Sequence, residues 1–194
     1  MDKEHLSRII EAILFSSQRS LTLKQIAKGV GERKTKEIRN IIKELNIFYK
    51  KYGRSFYIQE VAGGFQMRTD SQFRKWIQKE RIVKMIQLSP PALETLSIVT
   101  YNQPVTRAEI EDIRTVDSTY SLKSLLEKNL IRITGKREVA GRPLLYGTTK
   151  YFLETFGFEN LDQLPHPDSF DVVNAVADSD EKPSQSGNNT VTKE

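Results

Sequence analysis

The sequence predicts an α+β protein, mainly α, built from two tandem winged-helix domains and a disordered C-terminal tail. Three observations predict it. Capping-box pairs, in which a hydroxyl and an acid or amide satisfy end N–H groups, stand 84 residues apart at Thr22/Gln25 and Thr106/Glu109. Apolar helical positions keep that offset: Ile26 with Ile110, Ile38 with Leu122, Ile41 with Leu125, Ile42 with Leu126. Each unit then ends in a hairpin-like stretch containing "EVAG", at residues 60–63 and 138–141. That last offset is 78, so the second copy is six residues shorter just before its hairpin. Shared order, caps and turn mark a duplicated unit. The boundaries predicted are 1–86 for the first winged helix, 87–165 for the second and 166–194 for the tail.

The elements follow in order. Leu6, Ile9, Ile10, Ile13 and Leu14 have the spacing of one helix face. "TLKQIAKGV" is a short second helix. The third carries Ile38, Ile41, Ile42, Leu45, Phe48, Tyr49 and Tyr52 on one expected inward stripe, with Gly53 as a stop. "SFYIQEVAGGFQMRT" reads as strand, turn, strand. A helix starting at Asp70 or Ser71 is expected to turn Phe73, Trp76 and Ile77 inward, and residues 80–88 to continue as helix or linker. The pattern then restarts with Ser89 as N-cap and Pro90 at the first helical position. Leu93, Leu96 and Val99 are expected on its inner face. "TYSLKSLLEKN" supplies Leu122, Leu125 and Leu126. "LIRITGKREVAGRPLLYGTT" reads as the second hairpin, and "KYFLETFGF" as a closing helix. From Pro165 onward Ser, Asp, Asn and Pro dominate, and the expectation is disorder.

Composition excludes several classes. There are no cysteines, so disulfides, thiolate metal sites and cysteine nucleophiles are absent. No apolar run is long enough for a membrane helix, and the N-terminus lacks a signal-peptide layout, which points to a cytoplasmic protein. Charge is uneven. Residues 1–88 hold 19 Lys/Arg against 9 Asp/Glu, residues 89–165 hold 9 against 10, and residues 166–194 hold 2 against 6. A basic first half fits nucleic acid, an acidic partner or a solvated surface.

Catalytic and cofactor patterns are missing. His5 and His166 sit in the terminal segments without metal-ligand spacing. "GVGERK" lacks the third glycine and the preceding strand of a phosphate loop, so it reads as an interhelical turn. Glu109, Glu111 and Asp112 read as a solvated helix face. No enzyme, cofactor or metal site is predicted. For DNA, the third helix of the first unit offers Arg33, Lys34, Lys36, Arg39 and Lys43, with Arg54 near the wing. Only Asn40 is placed for adenine readout. The second unit's equivalent helix has only Lys123 and Lys128. Its wing instead strings together Pro143, Leu144, Leu145 and Tyr146, which are either core or partner surface.

"LSPPALETLSIVTYNQPVTRAEIEDIR", "GKREVAGRPLLYGTTKYFLETFGFENLDQLP" and "IIEAILFSSQRSLT" together resemble the segregation and condensation protein B (ScpB) family, over about Leu6 to Pro165. Thr115 departs from the glycine usual in that family before the third helix of the second unit. The resemblance implies a non-catalytic homodimer, joined chiefly through the N-terminal domain. It implies binding to the kleisin, segregation and condensation protein A, which bridges the SMC ATPase during chromosome condensation and segregation. DNA contact would be indirect, at the nucleoid, with no membrane partner. Arg142, Pro143, Leu144 and Tyr146 are the candidate kleisin anchors. The rival expectation is a tandem winged-helix transcriptional regulator using Arg33, Lys34, Lys36, Arg39 and Lys43.

Overall fold

The computed structural model describes residues 2–31, 33–79 and 87–166. The architecture is mixed α+β, mainly helical, with two small antiparallel sheets. The expectations for most of residues 80–88 and for the tail from residue 167 lie outside the described residues. Met1–Leu161 forms one compact unit, and the described residues after it belong to a second.

Helix α1 (Lys3–Ser16) is capped by Asp2, whose carboxylate accepts the His5 N–H at 2.7 Å. It buries Leu6, Ile10 and Leu14, each four residues from the next, on one helix face. Helix α2 (Leu23–Gly29) opens with the Thr22/Gln25 capping box. Helix α3 (Thr35–Lys51) buries Ile38, Ile41, Ile42, Leu45 and Tyr49 against both. Phe48 and Tyr52, expected inside, are exposed. Phe48 lies at the margin of the stripe, Tyr52 lies past the last helical residue, and the two rings pack on each other at 4.5 Å. Asn46 joins the helix to the sheet, giving and receiving 2.8 Å bonds with the Ile58 backbone.

Strands β1 (Phe56–Val61) and β2 (Gly64–Thr69) pair in register from Phe56↔Thr69 to Val61↔Gly64. Ala62 and Gly63 make the turn with φ of 52° and 68°, the left-handed pair that suits a two-residue hairpin. Gly64 has a different reason to be glycine. A Cβ there would stand 2.7 Å from the Leu21 backbone, which bridges to Phe65 through two main-chain bonds. After a single 3-10 turn, helix α4 (Arg74–Lys79) exposes Trp76 by 65% and also Ile77, against expectation. The helix has six residues and packs chiefly on the turn that precedes it.

Helix α5 (Pro90–Asn102) starts where expected, with Ser89 at the N-cap, although its hydroxyl makes no cap bond. Its inner face is Ala92, Thr95, Leu96, Val99 and Thr100, and Leu93 is exposed. Thr95 and Thr100 enter the core because their hydroxyls bond back to the carbonyls of Pro91 and Leu96, at 2.8 and 2.7 Å. Strand β3 (Val105–Thr106) leads into α6 (Arg107–Arg114), which carries the second capping box. Helix α7 (Thr119–Glu127) buries Leu122 and Leu125 and half-buries Leu126. Strands β4 (Ile131–Lys136) and β5 (Leu144–Thr148) complete a sheet of order β3-β5-β4, with a bulge between Ile133 and Gly135. Arg142 N–H donates to Val139 O at 2.9 Å, so Ala140 and Gly141 occupy the centre of this turn as Ala62 and Gly63 do in the first. Helix α8 (Lys150–Phe156) closes with Gly157 at φ 80°.

The two halves of the unit meet through α8 and the residues after it. Glu154 is only 6% exposed, and one of its oxygens accepts both the Ser20 N–H (3.1 Å) and the Ser20 hydroxyl (2.7 Å). Lys150 lies 3.9 Å from the same oxygen and donates to Ser20 O. Arg68 on β2 donates to the Glu154 carbonyl. The first hairpin turn adds Ala62 N–H to Phe158 O at 2.9 Å and Gly63 N–H to Glu159 O at 3.0 Å.

Two stability outcomes follow from these positions. Glu154→Ala strands the Ser20 donors and is expected to cost about 2–4 kcal/mol in urea melts. Thr115 ends α6 at φ 59°, a left-handed conformation that a β-branched residue occupies with strain. Thr115→Gly is expected to stabilise the chain by about 0.5–1 kcal/mol in the same melts.

Candidate partner interface

The first candidate surface is the tip and return strand of the second hairpin. Arg142 stands at φ 40° beyond the turn, exposed, with no charged partner among the described residues. Pro143 and Leu144 are half-buried, as is Leu145. Tyr146 is only 8% exposed, because β5 is the central strand and sets it between Val105 of β3 and Ile133 of β4. Its ring belongs to the sheet interior and is not an exposed anchor. On the same hairpin Ile133 and Val139 are exposed, so the apolar surface extends beyond the residues singled out from sequence.

The turn end of this hairpin is fixed by charge. Glu109 bonds the Thr106 N–H (2.9 Å) and hydroxyl (2.8 Å) through one oxygen and the Arg137 guanidinium (2.6 Å) through the other. Arg137 N–H in turn donates to Pro143 O at 2.9 Å. Glu111 accepts the Ser118 N–H at 3.0 Å and pairs with Arg107 at 3.2 Å. The acidic helix face is therefore mostly structural, with Asp112 the member left exposed.

The second candidate surface is the start of α3. Lys34, Lys36 and Lys43 are exposed there, and Arg33 is half-buried. Arg39 is already engaged. It forks onto both oxygens of Glu60 at 2.6 and 2.7 Å and lies 5.2 Å from the centre of the Phe65 ring. Glu37 and Glu44 stand among the lysines, and Glu44 pairs with Lys3 at 2.6 Å. The helix thus presents a mixed face, with three exposed lysines rather than five free cations for phosphate. Asn40 is exposed on it, and Arg54 lies farther along beyond Gly53.

The residues that sequence reasoning did not single out are Glu154, Ser20 and Arg68 at the junction, and the Glu109–Arg137 pair. One signal was available. Glu154 interrupts an otherwise apolar "YFLETF" helix four residues after Lys150, a position where a charge needs a partner.

The Arg137 bond, with the Thr106 backbone and hydroxyl, pulls the Glu109 carboxyl down to about 2. In the unfolded chain it returns to near its ordinary 4.5, so between these values the unfolded state binds the extra proton. The stabilisation is complete above the upper value and is lost as pH falls through about 2. Unfolding free energy measured across that window is expected to fall with pH, and Glu109→Gln, which keeps the cap, is expected to flatten the slope.

A family model described as segregation and condensation complex subunit ScpB matches residues 8–167. The segregation and condensation protein B of Syntrophotalea carbinolica is 43% identical over 165 residues, covering 85% of this chain and 83% of its own length. That of Clostridium perfringens strain SM101 is 40% identical over 178 residues, 91% of each chain. Among solved structures, ScpB from Mycobacterium tuberculosis is 26% identical and covers 81% of this chain and 98% of its own, at a TM-score of 0.39. A dimer of the ScpB N-terminal domain complexed with ScpA peptide is 28% identical over 39% of this chain and 94% of its own, at a TM-score of 0.37.

Proposed function

We propose a function from one premise: this chain belongs to the segregation and condensation complex subunit ScpB family. It acts as a non-catalytic accessory subunit of a bacterial SMC–kleisin complex. As a homodimer it binds the kleisin, segregation and condensation protein A, and through it the SMC ATPase, in the cytoplasm at the nucleoid. Chromosome condensation and segregation are the process served. The single observation that carries the reading is the family match over residues 8–167, which spans both halves of the chain.

On this reading the chain is two winged-helix domains, residues 1–86 and 87–165. Supporting it, each half opens with three helices, has a capping box on the second, and has a hairpin after the third. The first domain serves self-association and the second the kleisin. Arg142, Pro143 and Leu144 are the contact residues, with Tyr146 supporting Leu144 from inside the sheet. The DNA-regulator reading draws on Arg33, Lys34, Lys36 and Lys43, and the engagement of Arg39 by Glu60 weakens it.

Two measurements on the full chain separate the readings. Co-expressed kleisin is expected to co-purify with it, and Arg142→Glu with Leu144→Glu to reduce capture by about tenfold or more. A mobility shift with short duplex DNA at physiological salt is expected to show no specific complex. Tight, sequence-specific DNA binding together with no kleisin capture would overturn the proposal.

A further inference from the structure

We infer that a cavity of about 400 Å³ beside the turn end of the second hairpin receives an apolar side chain from an extended partner segment that carries a lysine or arginine beside it. The inference rests on the kleisin reading above and names where, and by what chemistry, the partner is held.

The cavity opens where the end of α5, strand β3 and helix α6 converge. Pro104, Val105 and Ile113 give it apolar walls, and Glu109, Asp112 and Arg137 its polar rim. Ile113 is 56% exposed in the last turn of α6, beside Ile110, which is fully buried. An isoleucine left open at the lip of a cavity is surface that a partner side chain would remove from water. Val116, in the turn after α6, and Tyr120, at the start of α7, are exposed too.

That lip is held rigid. The Arg114 side chain is only 4% exposed, bonds Glu94 at 2.9 Å and Ser118 Oγ at 3.0 Å, and fixes the turn from inside. Little ordering is left to be done on binding. Charge selects the partner. Glu109 and Arg137 neutralise each other at 2.6 Å, whereas Asp112 is exposed with no hydrogen bond or ion pair among the described residues. The rim therefore carries a net negative charge, which favours a basic residue and disfavours phosphate. The site is also continuous with the wing, because Arg137 donates its N–H to Pro143 O. A segment seated in the cavity runs on towards Pro143 and Leu144.

The test titrates labelled full-length kleisin with the full chain, followed by anisotropy. Asp112→Lys and Ile113→Glu change exposed positions, and thermal melts check that both variants fold. Each is expected to weaken binding about tenfold or more, while Glu127→Lys, an equal charge reversal on α7, leaves it within about twofold. Because the chain has no cysteine, Ile113→Cys bearing a maleimide photo-crosslinker reports a single site. The crosslinked kleisin peptide is expected to hold an apolar residue next to a lysine or arginine. Wild-type affinity in both variants, a crosslink to an acidic segment, or a change in self-association alone would each overturn the cavity assignment. If the unaltered chain does not bind kleisin at all, the proposed function fails, and the cavity assignment with it.

Discussion

The carboxylate of Glu154 is the constraint on which the arrangement of the two halves depends. It is almost wholly buried, and its nearest cation, Lys150, stands 3.9 Å away. A charge so placed is tolerated only while its hydrogen bonds are made, and the main ones come from Ser20 in the other half of the unit. The halves must therefore keep the register that brings Ser20 to α8. Arg68 reinforces it from β2, at the expense of an Nε buried without a hydrogen-bond partner among the described residues. Networks of this kind specify one arrangement more than they add stability.

Sequence pattern reached the helices and hairpins because each carried a local cause. The capping boxes at Thr22 and Thr106 bind only within four residues, so they are readable without the fold. The stripe from Ile38 to Tyr49 is likewise a matter of helical spacing. What escaped depended on distant partners. Strand β3 has two residues and exists because β5 lies beside it. Thr95 and Thr100 look polar in sequence and are core because their hydroxyls turn back on the helix. Leu93, Trp76 and Tyr52 look like core, yet no element among the described residues covers them.

The candidate interface was legible as a string of residues, not as a surface. Alternation places Leu144 and Tyr146 on one face of a strand, but whether that face is open depends on what packs over it, and α5 and α6 lie against β5. The structure closes it over Tyr146 and leaves Ile133 and Val139 outside. Arg39 looks free in sequence for the same reason: its partner, Glu60, is 21 residues away on another element. The two "EVAG" turns match in sequence but differ in backbone, since Ala62 has a positive φ of 52° and Ala140 does not. Both place alanine and glycine at the turn centre, but the first closes directly on paired strands, whereas the second extends through Arg137 and Pro143.

The bonds from Ala62 and Gly63 to the carbonyls of Phe158 and Glu159 use main chain on both sides. Any residue at 158 or 159 supplies the same acceptor, so mutation there can wander without loosening the join. Ser20 and Glu154 have no such freedom, since each donates or accepts through its side chain. Over evolutionary time the junction should therefore drift at one end and remain paired at the other, with changes at Ser20 tolerated only alongside changes at Glu154.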